Sequence, residues 1–115
     1  MVTSITREEL RARMADGRPL RVVEALPPAH YEQEHLPGAL NLPHDEVDTL
    51  AATVLPDRST TVVVYCANGP CQNSGIAARR LVELGYTDVH EYEAGKQDWI
   101  QAGLPVEHGL QSASR

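Results

Sequence analysis

Apolar and polar positions along the chain fall into short runs whose period switches repeatedly between that of a strand and that of a helix. Leu10 and Met14 stand four apart behind Thr6-Arg7-Glu8-Glu9. That segment suits a capping box, the threonine hydroxyl taking a free helix amide and Glu9 reaching back. Gly17 is a natural stop for this helix. Leu20 to Val23 then reads as a short buried strand ending at Glu24. Pro27-Pro28 opens a helical segment through Glu34, and Pro37-Gly38 turns the chain into an apolar stretch over residues 39–42. Val47, Leu50, Ala51 and Val54 share one face of a helix within residues 45–55.

The second half is patterned more sharply. Thr61–Tyr65 is β-branched and almost uniformly apolar, as expected of a central strand covered on both faces. A stretch of turn formers follows, Cys66-Ala67-Asn68-Gly69-Pro70-Cys71-Gln72-Asn73-Ser74. The spacing then predicts a helix over residues 74–84, with Ile76, Ala77, Leu81 and Leu84 inward and Arg79, Arg80 and Glu83 outward, stopped by Gly85. Val89–Tyr92 reads as a further strand, and residues 96–102 as a last helix carrying Trp99. Strands alternating with helices imply an α/β fold with a mostly parallel sheet flanked by helices on both sides.

Composition narrows the function more than the fold. A length of 115 residues is one domain, here assigned to residues 1–107, with residues 108–115 as a frayed tail. Ten Lys and Arg against sixteen Asp and Glu leave a formal charge of −6. Such a field repels polyanions, so no nucleic-acid partner is expected. No apolar stretch approaches the ~20 residues of a membrane helix, and no cationic-to-apolar leader is visible, so a cytoplasmic protein without membrane contact is expected. Two cysteines are too few for a disulfide framework or a four-thiolate zinc site. Neither a metal nor an organic cofactor is expected.

The chemistry is expected where the apolar strand gives way to Cys66. In open parallel sheets, ligands sit beyond the carboxyl ends of the strands. A loop curling into a helix start gathers backbone amides and the positive end of the helix dipole, which stabilise a thiolate. The alternative is a buried cysteine serving only as a small hydrophobe. Ala67, Asn68, Gly69, Pro70, Gln72, Asn73 and Ser74 are candidates for the substrate or anion loop, although Asn73 or Ser74 would equally serve as a helix N-cap. Cys71 stands five residues after Cys66 across Gly69-Pro70, a spacing that permits a disulfide. It is therefore either a resolving thiol or a loop residue that points elsewhere.

Five segments together resemble the rhodanese-like sulfurtransferase domain over residues 5–107. They are Tyr31-Glu-Gln-Glu-His-Leu-Pro-Gly-Ala-Leu-Asn-Leu-Pro43, Val62-Val-Val-Tyr-Cys66, Ala77-Ala78, Leu84-Gly85-Tyr86, and Trp99-Ile-Gln-Ala-Gly-Leu-Pro-Val106. The resemblance implies a five-stranded parallel sheet. It also implies that Cys66 accepts sulfane sulfur as a persulfide from a small-molecule or protein donor and passes it to a thiol or other nucleophile. His35 and Trp99 then read as structural, and Glu24 as a strand-end acid that bonds loop amides.

Two departures bear on substrate. The family's Asp-x-Arg falls on Glu24-Ala25-Leu26, without the arginine. The loop arginine is also missing: Cys-x4-Arg places it at Cys71, Cys-x5-Arg at Gln72, and alignment through Ser74 and Ala77-Ala78 at Asn73. An arginine clamps an oxyanion by charge-assisted bonds that backbone amides only partly replace. Phosphoryl transfer is therefore disfavoured, and thiosulfate is expected to be a weak donor. Persulfide exchange, thiolate for thiolate, makes smaller demands. The other readings at this point are a regulatory rhodanese-like module that binds a partner, and a dithiol redox protein built on Cys66 and Cys71.

Overall fold

In the computed structural model, which describes residues 2–109, the strand Thr61–Tyr65 is the spine of the fold. In chain order the elements are β1 (Val2–Ser4), α1 (Arg7–Ala15), β2 (Leu20–Glu24), α2 (Pro28–Gln33), β3 (Leu40–Asn41), α3 (Val47–Val54), β4 (Thr61–Tyr65), α4 (Asn73–Glu83), β5 (Val89–Tyr92) and α5 (Gly95–Gln101). The sheet order is β1-β5-β4-β2-β3, and every pairing is parallel. This is the five-stranded sheet that the resemblance implies.

Strand periodicity sorts the core into two halves. Val62 and Val64 face one way, onto Val47 and Ala51 of α3 and Ala77, Ala78 and Leu81 of α4. Val63 and Tyr65 face the other way, onto Leu10 of α1, Tyr31 of α2 and Trp99 of α5. All four strand side chains are fully buried. Each such burial stabilises the fold by roughly 1.5–3 kcal/mol, which is why this segment is continuously apolar. The capping box of α1 forms as the sequence predicts, Thr6 accepting from the Glu9 amide and Glu9 from the Thr6 amide.

Two positions differ from expectation. Ile76, expected on the inward face of α4, is 39% exposed. The buried stripe is instead Ser74, Gly75, Ala77, Ala78 and Leu81. Small residues let the helix lie close on the sheet, which turns the bulkier Ile76 outward. The first strand, β1, has no counterpart in the hydrophobic pattern, because two of its three residues are exposed. Of the tail, residues 110–115 lie outside the described residues. His108 Nδ1 stands 2.6 Å from the Gln33 carbonyl, and the Gly109 amide donates to that of Glu32. No helix among the described residues is long and apolar enough to cross a membrane.

Candidate active site

β4 delivers Cys66 to the carboxyl end of the middle of the sheet, between β2 and β5. The chain reverses its direction across the sheet between β2 and β4, the place where parallel sheets open a crevice. Cys66 itself is only 1% exposed. Its carbonyl accepts the Lys96 amide at 2.8 Å, and the Ala67 carbonyl accepts the Gln97 amide at 2.8 Å. The start of the loop is thus fastened to the first turn of α5. Gly95, at φ +78°, makes this approach feasible, since a β-carbon there would meet the backbone of residues 66–68 at under 3 Å.

The loop then doubles back. The Cys71 amide donates to the Asn68 carbonyl at 3.1 Å, closing a turn over Gly69-Pro70. This brings the Cα atoms of Cys66 and Cys71 to 6.3 Å, and a disulfide joins the two residues. Of the two alternatives for Cys71, the structure adopts the paired one. In this disulfide form Cys71 is half-buried and Cys66 is buried. It lines a cleft of about 390 Å³ with Gln72, Gly75, Arg79 and Glu91.

Gln72, rather than Asn73 or Ser74, occupies the N-cap of α4, and no side chain caps the helix. Ser74 is buried and its hydroxyl donates to Glu91 Oε2 at 2.7 Å, so it is committed to β5. Among the described residues, the amides of Asn73, Ser74 and Gly75 have no acceptor. These free donors and the dipole of an eleven-residue helix make the loop the electropositive end of α4. The arginine absent from the loop has a partial counterpart one helical turn on. Arg79 Nη1 would stand 3.3 Å from a β-carbon on Gly75, but Glu91 Oε2 would stand 3.4 Å from the same point. The cleft therefore carries both signs of charge.

Behind the loop lies a buried network that the sequence reading missed. Glu24, expected to bond loop amides, instead accepts from the Tyr65 hydroxyl at 2.7 Å and from Lys96 Nζ at 3.1 Å. Lys96 Nζ also donates to the carbonyls of His30 and Glu34. An ammonium offers three donors and here finds three acceptors. The Tyr65 hydroxyl accepts the Leu36 amide, and burial, followed by the Glu24 charge, holds its pKa well above the ordinary phenol value. Lys96 is the single lysine in the chain, the one compositional signal that could have marked it.

The remaining assignments follow their structural readings. Trp99 is buried, with Nε1 donating to the Pro105 carbonyl. His35 is fully buried, stacked on Tyr31, with Nδ1 at 2.8 Å from the Tyr31 carbonyl. Asn68 and Ala67 line a second cleft, of about 430 Å³, with Lys96, Gln97 and Ile100. The loop is thus flanked by open space on two sides.

Residues 6–102 match the rhodanese-like domain model. A thiosulfate sulfurtransferase of Escherichia coli, PspE, is 46% identical over 71 residues, 62% of this chain and 65% of that protein, so the chain spans just under two thirds of its length. A sulfurtransferase of Allochromatium vinosum is 33% identical over 106 residues, covering 92% of this chain and 95% of that protein. Among solved structures, a rhodanese from E. coli with anions superposes with a TM-score of 0.65 at 39% identity, over 78% of this chain and 99% of that one.

Proposed function

The chain belongs to the rhodanese-like domain family, and from that premise we propose that it is a sulfurtransferase in which Cys66 carries sulfane sulfur as a persulfide. The observation that carries this reading is the position of Cys66, at the carboxyl end of the central strand, buried from Val62 to Tyr65, and ahead of a helix with three free amides. A thiolate there gains from the helix dipole and from N–H donors. The Cys66 thiolate attacks the outer sulfur of a persulfide donor, and the donor thiolate leaves. The amides around residues 67–74 hold the terminal sulfur anion.

Asn68 and Gln72, which line the two clefts, are the side chains proposed to touch donor and acceptor. Donors of low charge suit a cleft that contains Glu91 and Glu93 as well as Arg79. A thiol-dependent cycle of this kind fits a reducing compartment such as the cytoplasm. The test is mass spectrometry of reduced protein after exposure to glutathione persulfide. Cys66→Ser should abolish the mass increase of one sulfur atom. An undiminished adduct in that variant would refute the assignment, and a reduced wild type that shows neither the added sulfur nor the loss of two thiol hydrogens would favour a regulatory binding module. A dithiol redox role is the second reading, favoured by the disulfide itself.

A further inference from the structure

We propose that Cys66 and Cys71 act in sequence, so that the protein reduces sulfane sulfur to hydrosulfide through its own disulfide. The inference rests on the Cys66 persulfide reading above and adds the fate of the sulfur. First, the Cys66 thiolate takes the outer sulfur of the donor and the donor leaves as a thiolate. Next, the Cys71 thiolate attacks Cys66 Sγ. The Cys66–Cys71 bond forms, the bond to the terminal sulfur breaks, and that sulfur departs with the electron pair as hydrosulfide. The sulfane sulfur gains two electrons and the cysteine pair loses two.

The structure supplies the geometry for the second step. The turn closed by the Cys71 amide on the Asn68 carbonyl brings the two Cα atoms to 6.3 Å, within bonding range of their sulfurs. An attacking group held in place in this way competes at high effective concentration with any thiol from solution. The nearest competent nucleophile for a Cys66 persulfide is therefore in the same loop.

The unequal exposure of the pair also sets how the cycle closes. An external dithiol reaches the disulfide at Cys71, which is half-buried and lines the open cleft beside Gln72 and Arg79. Its thiolate bonds to Cys71 Sγ and expels the Cys66 thiolate. The second thiol of the reductant then displaces Cys71 and leaves as a disulfide. One sulfane sulfur and one dithiol yield hydrosulfide and one disulfide, and Cys66 is again free to load.

A single-turnover experiment separates this inference from the reading beneath it. Reduced protein, freed of reductant, receives one equivalent of glutathione persulfide without oxygen, and hydrosulfide and intact mass are followed together. Wild type should release close to one equivalent of hydrosulfide and lose the mass of two hydrogens. Cys71→Ser and Cys71→Ala should both retain the added sulfur and release at least tenfold less hydrosulfide. A stable persulfide in wild type, or equal release from the Cys71 variants, would overturn the inference and leave the Cys66 reading standing. Failure of both wild type and the Cys71 variants to accept sulfur, with no release, would overturn both.

Discussion

A β-carbon built on Gly95 would stand 2.8 Å from the carbonyl oxygen of Cys66. Two backbones are therefore in direct contact, one following the last strand and one beginning the reactive loop. Hydrogen bonds from the Lys96 and Gln97 amides to the carbonyls of Cys66 and Ala67 hold them together. The reach of the loop over the sheet is set from α5, thirty residues downstream.

Gly95→Ala should therefore damage the loop as well as the fold. The left-handed conformation at φ +78° costs a residue with a β-carbon about 1–2 kcal/mol. Overlap with rigid backbone adds about 1–3 kcal/mol. A fall in Tm on the order of 10 °C follows for a domain of this size, together with slower sulfur loading. An unchanged melting curve would mean that α5 slides away from the loop without cost.

Lys96→Met should be strongly destabilising, because it leaves the fully buried Glu24 carboxylate without its cation. Removing one member of a buried ion pair costs about 3–5 kcal/mol, against a typical domain stability of roughly 5–15 kcal/mol. The double variant Glu24→Gln/Lys96→Met should recover part of the loss, since the glutamine still accepts from Tyr65. Urea unfolding midpoints measure both. A single variant as stable as wild type would show that the pair contributes nothing to the fold.

These two sites differ in how far the sequence revealed them. Helix α4 and strand β4 were legible because each carries its own signal, a turn-rich loop before a helical stripe and an uninterrupted β-branched run. The Glu24–Lys96 pair has no local signal, since its members are separated by 72 residues. Nor does β1 have one: Val2, Thr3 and Ser4 become a strand only because Val89, His90 and Glu91 pair with them. Ile76 was misplaced because periodicity defines a face but not how near the helix lies. Only the contacts of Ala77, Ala78 and Leu81 settle which part of that face is covered. Cys71 was the intermediate case, its spacing allowing the bond that the Asn68–Cys71 turn then makes.

Stability should fall steeply in alkali. Burial raises the pKa of Tyr65, Tyr86 and Tyr92 above the ordinary 10.0. Below pH 10 these phenols are protonated in both states, and their contribution to stability is fully present. Above it the unfolded chain loses its phenolic protons while the folded one keeps them. Unfolding is then favoured by up to about 1.4 kcal/mol per pH unit for each tyrosine, until the folded pKa is reached. Denaturant midpoints measured from pH 8 to 11.5 should drop progressively above pH 10. A flat profile over that range would contradict the burial of these hydroxyls.

Donor preference should follow from the arginine that the loop lacks. Thiosulfate brings two negative charges to a cleft where Arg79 shares its space with Glu91 and Glu93, in a protein of formal charge −6. The free amides of α4 offer it dipoles but no full cation. A persulfide donor of low charge needs only aligned sulfurs and N–H stabilisation of the leaving thiolate, so its kcat/KM should exceed that of thiosulfate in wild type. Gln72 stands at the N-cap of α4 and lines the cleft with Cys71, which makes it the better of the two loop positions for an introduced guanidinium. Gln72→Arg should raise kcat/KM for thiosulfate. The ceiling is the value of a charged hydrogen bond to an oxyanion, on the order of 2–3 kcal/mol or roughly 30- to 150-fold. Asn73→Arg, at the first helical residue, should give a smaller gain. A persulfide donor of low charge should respond little to either change, because its reacting end presents no oxyanion like that of thiosulfate. A wild-type thiosulfate-to-persulfide ratio near or above one would mean that backbone amides and Arg79 already make a sufficient anion site, and the donor assignment would then be wrong.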